Sequence, residues 1–145
     1  MEYTISSVIS LISHLHTATA DFTNKRLADK GDFVSSHGFI LFQLSGEEKL
    51  TMTEIARRIN RDKSTTTVLV RKLKEEGLVK EENSETDSRV KYILLTKKGM
   101  EYNEITSKIS HELLTQCYKG FTKTEKEELL RLLEKMNNNL DNSLK

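Results

Sequence analysis

Between Asp62 and Glu76 the chain sets hydroxyls and cations against aliphatic residues, a pattern suited to hydrogen bonding a polyanion rather than to bond-making chemistry. Ser64, Thr65 and Thr67 can donate to phosphate oxygens or base edges, and Lys63 and Lys72 suit phosphate, which positions without specifying. Arg71 can place two parallel hydrogen bonds on a guanine edge in the major groove. Val68 stands among them and admits two readings: contact with a thymine methyl, or a place at the flank of the groove. Further on, Asp87 and Arg89 are two apart, so in extended chain they point to the same side and can pair. A guanidinium held in this way at a loop tip suits a narrow, A·T-rich minor groove. The competing reading is an ordinary surface ion pair, which adds little stability. Arg61 and Lys91 bring further positive charge to the two stretches.

The elements that must position these side chains follow from local chemistry. Thr51 with Glu54 forms a capping box and Leu50 with Ile55 a hydrophobic staple, so a short helix is predicted from Met52 to about Ile59-Asn60. Asp62 is a good N-cap for the next helix. There Thr66, Leu69, Val70 and Leu73 share one face at i, i+3, i+4 and i+7, while Ser64, Val68, Arg71 and Glu75 gather opposite, flanked by Thr65, Thr67 and Lys72. Gly77 stops this helix as a C′ glycine. Leu78-Val79-Lys80 begins a strand and Val90 to Leu95 returns, with Asn83-Ser84 as turn material. Two short helices followed by a hairpin and a further helix start are the sequence form of a winged helix-turn-helix.

The order of capped helix, hydroxyl-rich second helix, Leu-x-x-x-Gly-Leu-Val, Asp87-Ser88-Arg89 and Leu95-Thr96-Lys97-Lys98-Gly99 resembles the MarR family of bacterial and archaeal transcription regulators. The detailed match covers about Leu50 to Gly99, and the helical flanks agree in length and pattern. The resemblance implies a mainly α fold with a small β-hairpin wing. It implies a single domain with a DNA-binding lobe over residues 33–99 and a helical dimerisation region from residues 1–32 and 100–145. The implied partners are double-stranded DNA and a second copy of the chain, with a pseudo-palindromic operator read by a repressor more readily than by an activator. Two positions depart from the family pattern. Val68 stands where many members carry a cation or polar residue, and Thr66, read here as core, where an aliphatic residue is usual.

Composition bounds the alternatives. The 145 residues are 36% hydrophobic and 31% charged, contain no proline and a single cysteine, and carry a net charge of +1. That charge is unevenly placed: Thr51 to Gly99 holds 12 Lys/Arg against 8 Asp/Glu, a balance of +4, and the remainder 11 against 14, a balance of −3. Such asymmetry suits a nucleic-acid partner and predicts salt-dependent binding through counterion release. No apolar run approaches the ~20 residues of a membrane span, and one cysteine suits a reducing cytoplasm. Phosphate-cradling glycine loops, H-E-x-x-H, a nucleophile elbow and cysteine pairs are all missing, so neither an enzyme nor a cofactor is expected.

Ile5, Val8, Ile12, Leu15 and Phe22 predict a long amphipathic helix to about Ala28, broken at Lys30-Gly31-Asp32. A helix from about Ser35 carries Phe39, Ile40, Leu41 and Leu44 and ends at Ser45-Gly46. Thr96 caps a helix with Tyr102, Ile105, Ile109, Leu113 and Cys117 on one side. After Gly120, Thr122 and Glu125 box the start of a last helix rich in leucine. Family members commonly hold small aromatic or phenolic effectors where dimerisation helices meet the DNA-binding lobe. The resemblance therefore marks His14, His16, Phe22, His37, Phe39 and Tyr118 as effector-pocket residues; the competing reading makes them ordinary core and interface, Phe39 above all. Cys117 on its apolar stripe reads as a buried, inert thiol. His14 and His16 point about 200° apart on a helix and cannot hold one ion together. Two alternatives stand beside the DNA-binding reading: a winged-helix adaptor without DNA binding, and a redox- or metal-responsive regulator using Cys117 or His111.

Overall fold

In the computed structural model, which describes residues 2–28, 33–46 and 48–145, six helices and one hairpin follow in the order α1 (Val8–Leu27), α2 (Ser35–Leu44), α3 (Met52–Arg58), α4 (Lys63–Glu75), β1 (Val79–Asn83), β2 (Lys91–Leu95), α5 (Lys97–Cys117) and α6 (Lys123–Ser143). A 3-10 turn, Ile5–Ser7, leads into α1. The predicted break at Lys30-Gly31-Asp32 lies outside the described residues. The chain divides into two units, Met1–Leu113 and Leu114–Lys145. Among the described residues no helix is long and apolar enough to cross a membrane.

The core of the first unit gathers Leu27 of α1, Ile40, Leu41 and Leu44 of α2, Ile55 of α3, Leu73 of α4 and Leu78 at full burial. The buried residues of α2 include positions 37, 40, 41 and 44, one helical face, so Phe39 and Phe42 fall on the other and are exposed. This corrects the expectation that Phe39 is core. α1 buries only Thr23 and Leu27, leaving Ile5, Ile9 and Leu15 of its apolar stripe and the preceding turn uncovered. In the second unit α6 buries nothing, although its N-terminus is capped as expected, with the Glu125 N–H donating to Thr122 Oγ1 at 3.1 Å.

Two Schellman motifs bracket the helix pair. The Thr51–Glu54 capping box opens α3, and Asn60 at φ 58° closes it, with the Asn60 N–H donating to Arg57 O and the Arg61 N–H to Ala56 O. Asn60 is a left-handed cap the sequence reading missed; asparagine is among the few non-glycine residues that tolerate the conformation. Asp62 then caps α4, accepting the Thr65 N–H at 2.6 Å and the Ser64 hydroxyl at 2.8 Å. The Thr65 N–H first, then the Ser64 hydroxyl, hold the Asp62 carboxyl at about 2, well below the usual 3.8. Gly77 at φ 76° ends the second helix by the same pattern, the Leu78 N–H donating to Leu73 O at 2.9 Å and the Gly77 N–H to Lys74 O at 3.0 Å.

The hairpin is antiparallel, registered Val79↔Leu95 through Asn83↔Lys91. Asn83 is therefore still strand, and the turn begins at Ser84. Leu50 adds a third backbone at Ile93, exchanging N–H···O bonds of 3.0 and 2.7 Å, which ties the entry of α3 to the wing. A compact knot joins the exit of α4 to α5. The Thr96 hydroxyl donates to Gly77 O at 2.6 Å and accepts the Gly99 N–H at 3.0 Å, while the Thr96 N–H donates to Leu78 O at 3.1 Å. A Cβ at Gly99 would collide with the Leu78 carbonyl oxygen and crowd Leu95.

Gly99→Ala is expected to destabilise the fold by about 1–3 kcal/mol, the usual range for overpacking a tight backbone contact; chemical denaturation measures it, and an unchanged midpoint would remove the close approach as a constraint. Because the folded Asp62 pKa lies below its unfolded value, the stability it adds is complete above about pH 4 and disappears as the pH falls through 2. Asp62→Asn keeps a capping oxygen without the titration. Its stability should therefore fall less steeply between pH 4 and pH 2 than that of the parent, and parallel acid limbs would contradict the depressed carboxyl.

Candidate nucleic-acid interface

α4 meets the protein through Thr66, Val70 and Leu73, with Leu69 half-buried at the edge. α2 and α3 pack behind it. Thr66, the hydroxyl on the inner face, is fully buried and donates to Asp62 O at 2.8 Å, so its methyl packs in the core while its polar atom is satisfied within the helix. Ser64, Val68, Arg71 and Glu75 form the exposed face, and Thr65, Thr67 and Lys72 are half-buried along its sides.

The donors on that face are not equally available. The Ser64 hydroxyl is given to Asp62, and the Thr67 hydroxyl to Lys63 O at 2.8 Å. Lys72 lies 3.3 Å from Glu76 and 6.0 Å from the Phe33 ring. Arg61 reaches Ser36 Oγ at 3.4 Å, and Lys91 lies 3.9 Å from Glu81, which Lys74 holds at 3.1 Å. Exposed pairs of this kind are weak and exchange readily for other anions. Lys63 and Arg71 form no ion pair with any described residue, so their charge faces solvent uncompensated.

At the wing Arg89 donates Nε–H to Asp87 Oδ1 at 3.1 Å and Nη2–H to Oδ2 at 3.2 Å, a two-point grip, and its backbone N–H reaches the same carboxylate at 3.0 Å. The Arg89 side chain nevertheless remains 89% exposed. The Asp87 carboxyl is held below its usual range by the Arg89 side chain first and the Arg89 N–H second. The geometry behind this pair is not the extended alternation expected from sequence. The Val90 N–H donates to Asp87 O at 3.0 Å, making residues 87–90 a turn in which the aspartate folds onto the backbone two residues on. Ser84 supports the tip from the other side, accepting the Thr86 and Asp87 N–H groups at 3.3 Å each. The sequence reading took Ser84 only as turn material, although Ser-x-x-Asp is a hydroxyl-turn signal.

Of the residues marked for an effector pocket, the five in the first unit, His14, His16, Phe22, His37 and Phe39, do not converge as a set. A cavity of about 280 Å³ opens beside the helix-turn-helix turn, lined among others by His16, Thr23, Ser35, Phe39, Asn60 and Arg61. His16 and Phe39 are thus brought together, and His14 is exposed on α1 without lining it. Phe22 lies under the Arg26 guanidinium, 3.4 Å from its ring centroid. His37 is buried, with Nδ1 accepting the Val34 N–H at 2.9 Å to cap α2 and its ring edge-on to Phe33. Tyr118 belongs to the second unit, where its ring meets Phe121 and lies 5.0 Å from Lys126 Nζ. Cys117, expected to be buried, is exposed. Beside His111, Glu112 is engaged by Arg26 at 3.3 Å, and no group of three metal-ligating side chains converges among the described residues.

A MarR family model matches residues 35–90. The HTH-type transcriptional repressor IacR of Pseudomonas putida is 30% identical over 117 residues, covering 81% of this chain and 70% of the relative. The S. aureus MepR–DNA complex superposes with a TM-score of 0.77 at 26% identity, over 95% of this chain and 99% of that one. Bordetella bronchiseptica BpsR, whose DNA binding is regulated by 6-hydroxynicotinic acid, gives a TM-score of 0.79 over 94% and 98% of the two chains, and at 17% identity shows the fold alone. Similarity of this extent, with the outward-facing helix within the residues the family model matches, makes the conclusion plain: the chain belongs to the MarR family of DNA-binding transcriptional regulators.

Proposed function

We propose that the protein is a homodimeric, sequence-specific repressor that lays α4 in the major groove and Arg89 of the wing in the adjacent minor groove. The observation that carries this reading is the Asp87–Arg89 grip. It orients a guanidinium at the tip of the hairpin while leaving it 89% exposed, on the unit that also turns Arg71 outward. A pre-oriented arginine gives up less rotamer freedom on entering a narrow groove. Lys63 and Lys72 suit phosphate, and Arg61 and Lys91 add charge at the edges of the two contacts. Repression is the sense of action favoured by the likeness to IacR, itself a repressor. The cytoplasm, where chromosomal DNA is reached, is the compartment this reading implies.

Dimerisation is favoured by what each helix leaves open. In α6, Leu130 is 60% and Leu140 63% accessible, with Leu132, Leu133 and Met136 partly so. A helix with this apolar stripe and no buried residue is marginal in water unless another surface covers it. A second copy would supply that cover and would set two α4 helices about one DNA turn apart, matching a pseudo-palindromic operator. The cavity at His16, Phe39 and Arg61 supports a small aromatic effector as a releasing ligand, because Asn60 and Arg61, which line it, immediately precede the cap of α4. His14, Phe22, His37 and Tyr118 have no part in that proposal.

Arg89→Ala should weaken binding to an enriched operator duplex strongly without altering the melting temperature, while Arg71→Ala should cost about 1–3 kcal/mol and relax preference at one position per half-site. Unchanged affinity for the first, or equal losses on all DNA for the second, would remove the role assigned. Leu133→Glu, placed in the stripe of α6, is expected to shift the protein towards monomer in sedimentation equilibrium; an undisturbed dimer would place the interface elsewhere.

A further inference from the structure

We infer that Val68 is the side chain that reads the C5-methyl of a thymine in each half-site, an assignment that rests on α4 occupying the major groove. Val68 is 60% exposed and lies on the outer line of α4, one turn after Ser64 and one turn before Arg71. The hydroxyls that flank it, those of Ser64 and Thr67, are already committed. The single hydroxyl protons of Ser64 and Thr67 go to Asp62 and to Lys63 O, so the middle of the face cannot donate to a base without breaking bonds within α4. What it offers instead is a branched apolar surface that needs no hydrogen-bond partner. The distinctive apolar feature of the major groove is the thymine methyl. Valine at this position brings no advantage to the fold: it is outside the core, and β-branching lowers helix propensity relative to the straight-chain residues usual on an exposed face.

Removing only the methyl isolates the contact. With the intact protein and an operator enriched from random duplex DNA, each thymine is replaced in turn by deoxyuridine. Wild-type affinity should fall about fourfold for one thymine in each half-site, the fold-change that corresponds to one buried methyl group. Val68→Ala, checked by thermal melting to be folded, should bind the parent duplex more weakly and be indifferent to that same replacement. Wild-type binding that ignores every replacement, or a Val68→Ala protein that keeps the full methyl sensitivity, would overturn the assignment while leaving the operator reading intact. If no sequence is enriched at all, the operator reading and the methyl contact fall together.

Discussion

α4 is a poor helix that the rest of its unit compels to be one. Thr65-Thr66-Thr67-Val68 is a run of β-branched residues, each costing up to about 0.7 kcal/mol relative to alanine, so the stretch opposes helix formation by ~2–3 kcal/mol. A segment of thirteen residues is also too short to hold itself together in water. Burial of Val70 and Leu73 contributes roughly 1.5–3 kcal/mol each, enough to offset the propensity term. The Asp62 cap satisfies one of the open donors of the first turn, the Thr65 N–H, and the fully buried Thr66 returns its hydroxyl to the backbone so that it can share the core. The outer face is thereby freed from packing against the core, and Val68 and Arg71 can be chosen for what they meet.

Fixing such a face is useful only if the wing is fixed to the same frame, and two backbone junctions do this. Leu50 pairs with Ile93, joining the start of α3 to the return strand. Thr96 and Gly99 clasp the Gly77–Leu78 corner, where the end of α4, the first strand and the start of α5 come within hydrogen-bonding distance. Polar satisfaction at these corners is made by backbone groups and the Thr96 hydroxyl of segments far apart in sequence, so the wing and α4 are held in one frame. Among the described residues Lys63 and Arg71 make no ion pair, and Lys72 and Lys91 are held by exposed carboxylates that phosphate can displace.

Local rules were readable wherever the determinant was a neighbour in sequence. The capping boxes at Thr51 and Thr122, the cap at Asp62, the stop at Gly77 and the inward set of α4 all follow from spacing alone. The pairing of Asp87 with Arg89 was readable too, but for a different reason from the one sequence suggests, since a turn and not an extended strand brings them together. Asn60 was missed because its left-handed backbone is imposed by the tight connection between two helices, and asparagine only tolerates it. Phe39 and Cys117 were misplaced because an apolar side chain announces that it will be covered without saying by what. The cavity residues Thr23, Ser35, Asn60 and Arg61 come from three separate stretches of chain, and no periodicity links them.

Selection of bound sites from random duplex DNA by the intact protein tests most directly whether the outer face of α4 and the Arg89 tip are a paired reading surface. An enriched pseudo-palindrome with half-site centres about one helical turn, 10–10.5 base pairs, apart is the expected result. Recovery of no preferred sequence, or of a lone half-site without a symmetry mate, would contradict it.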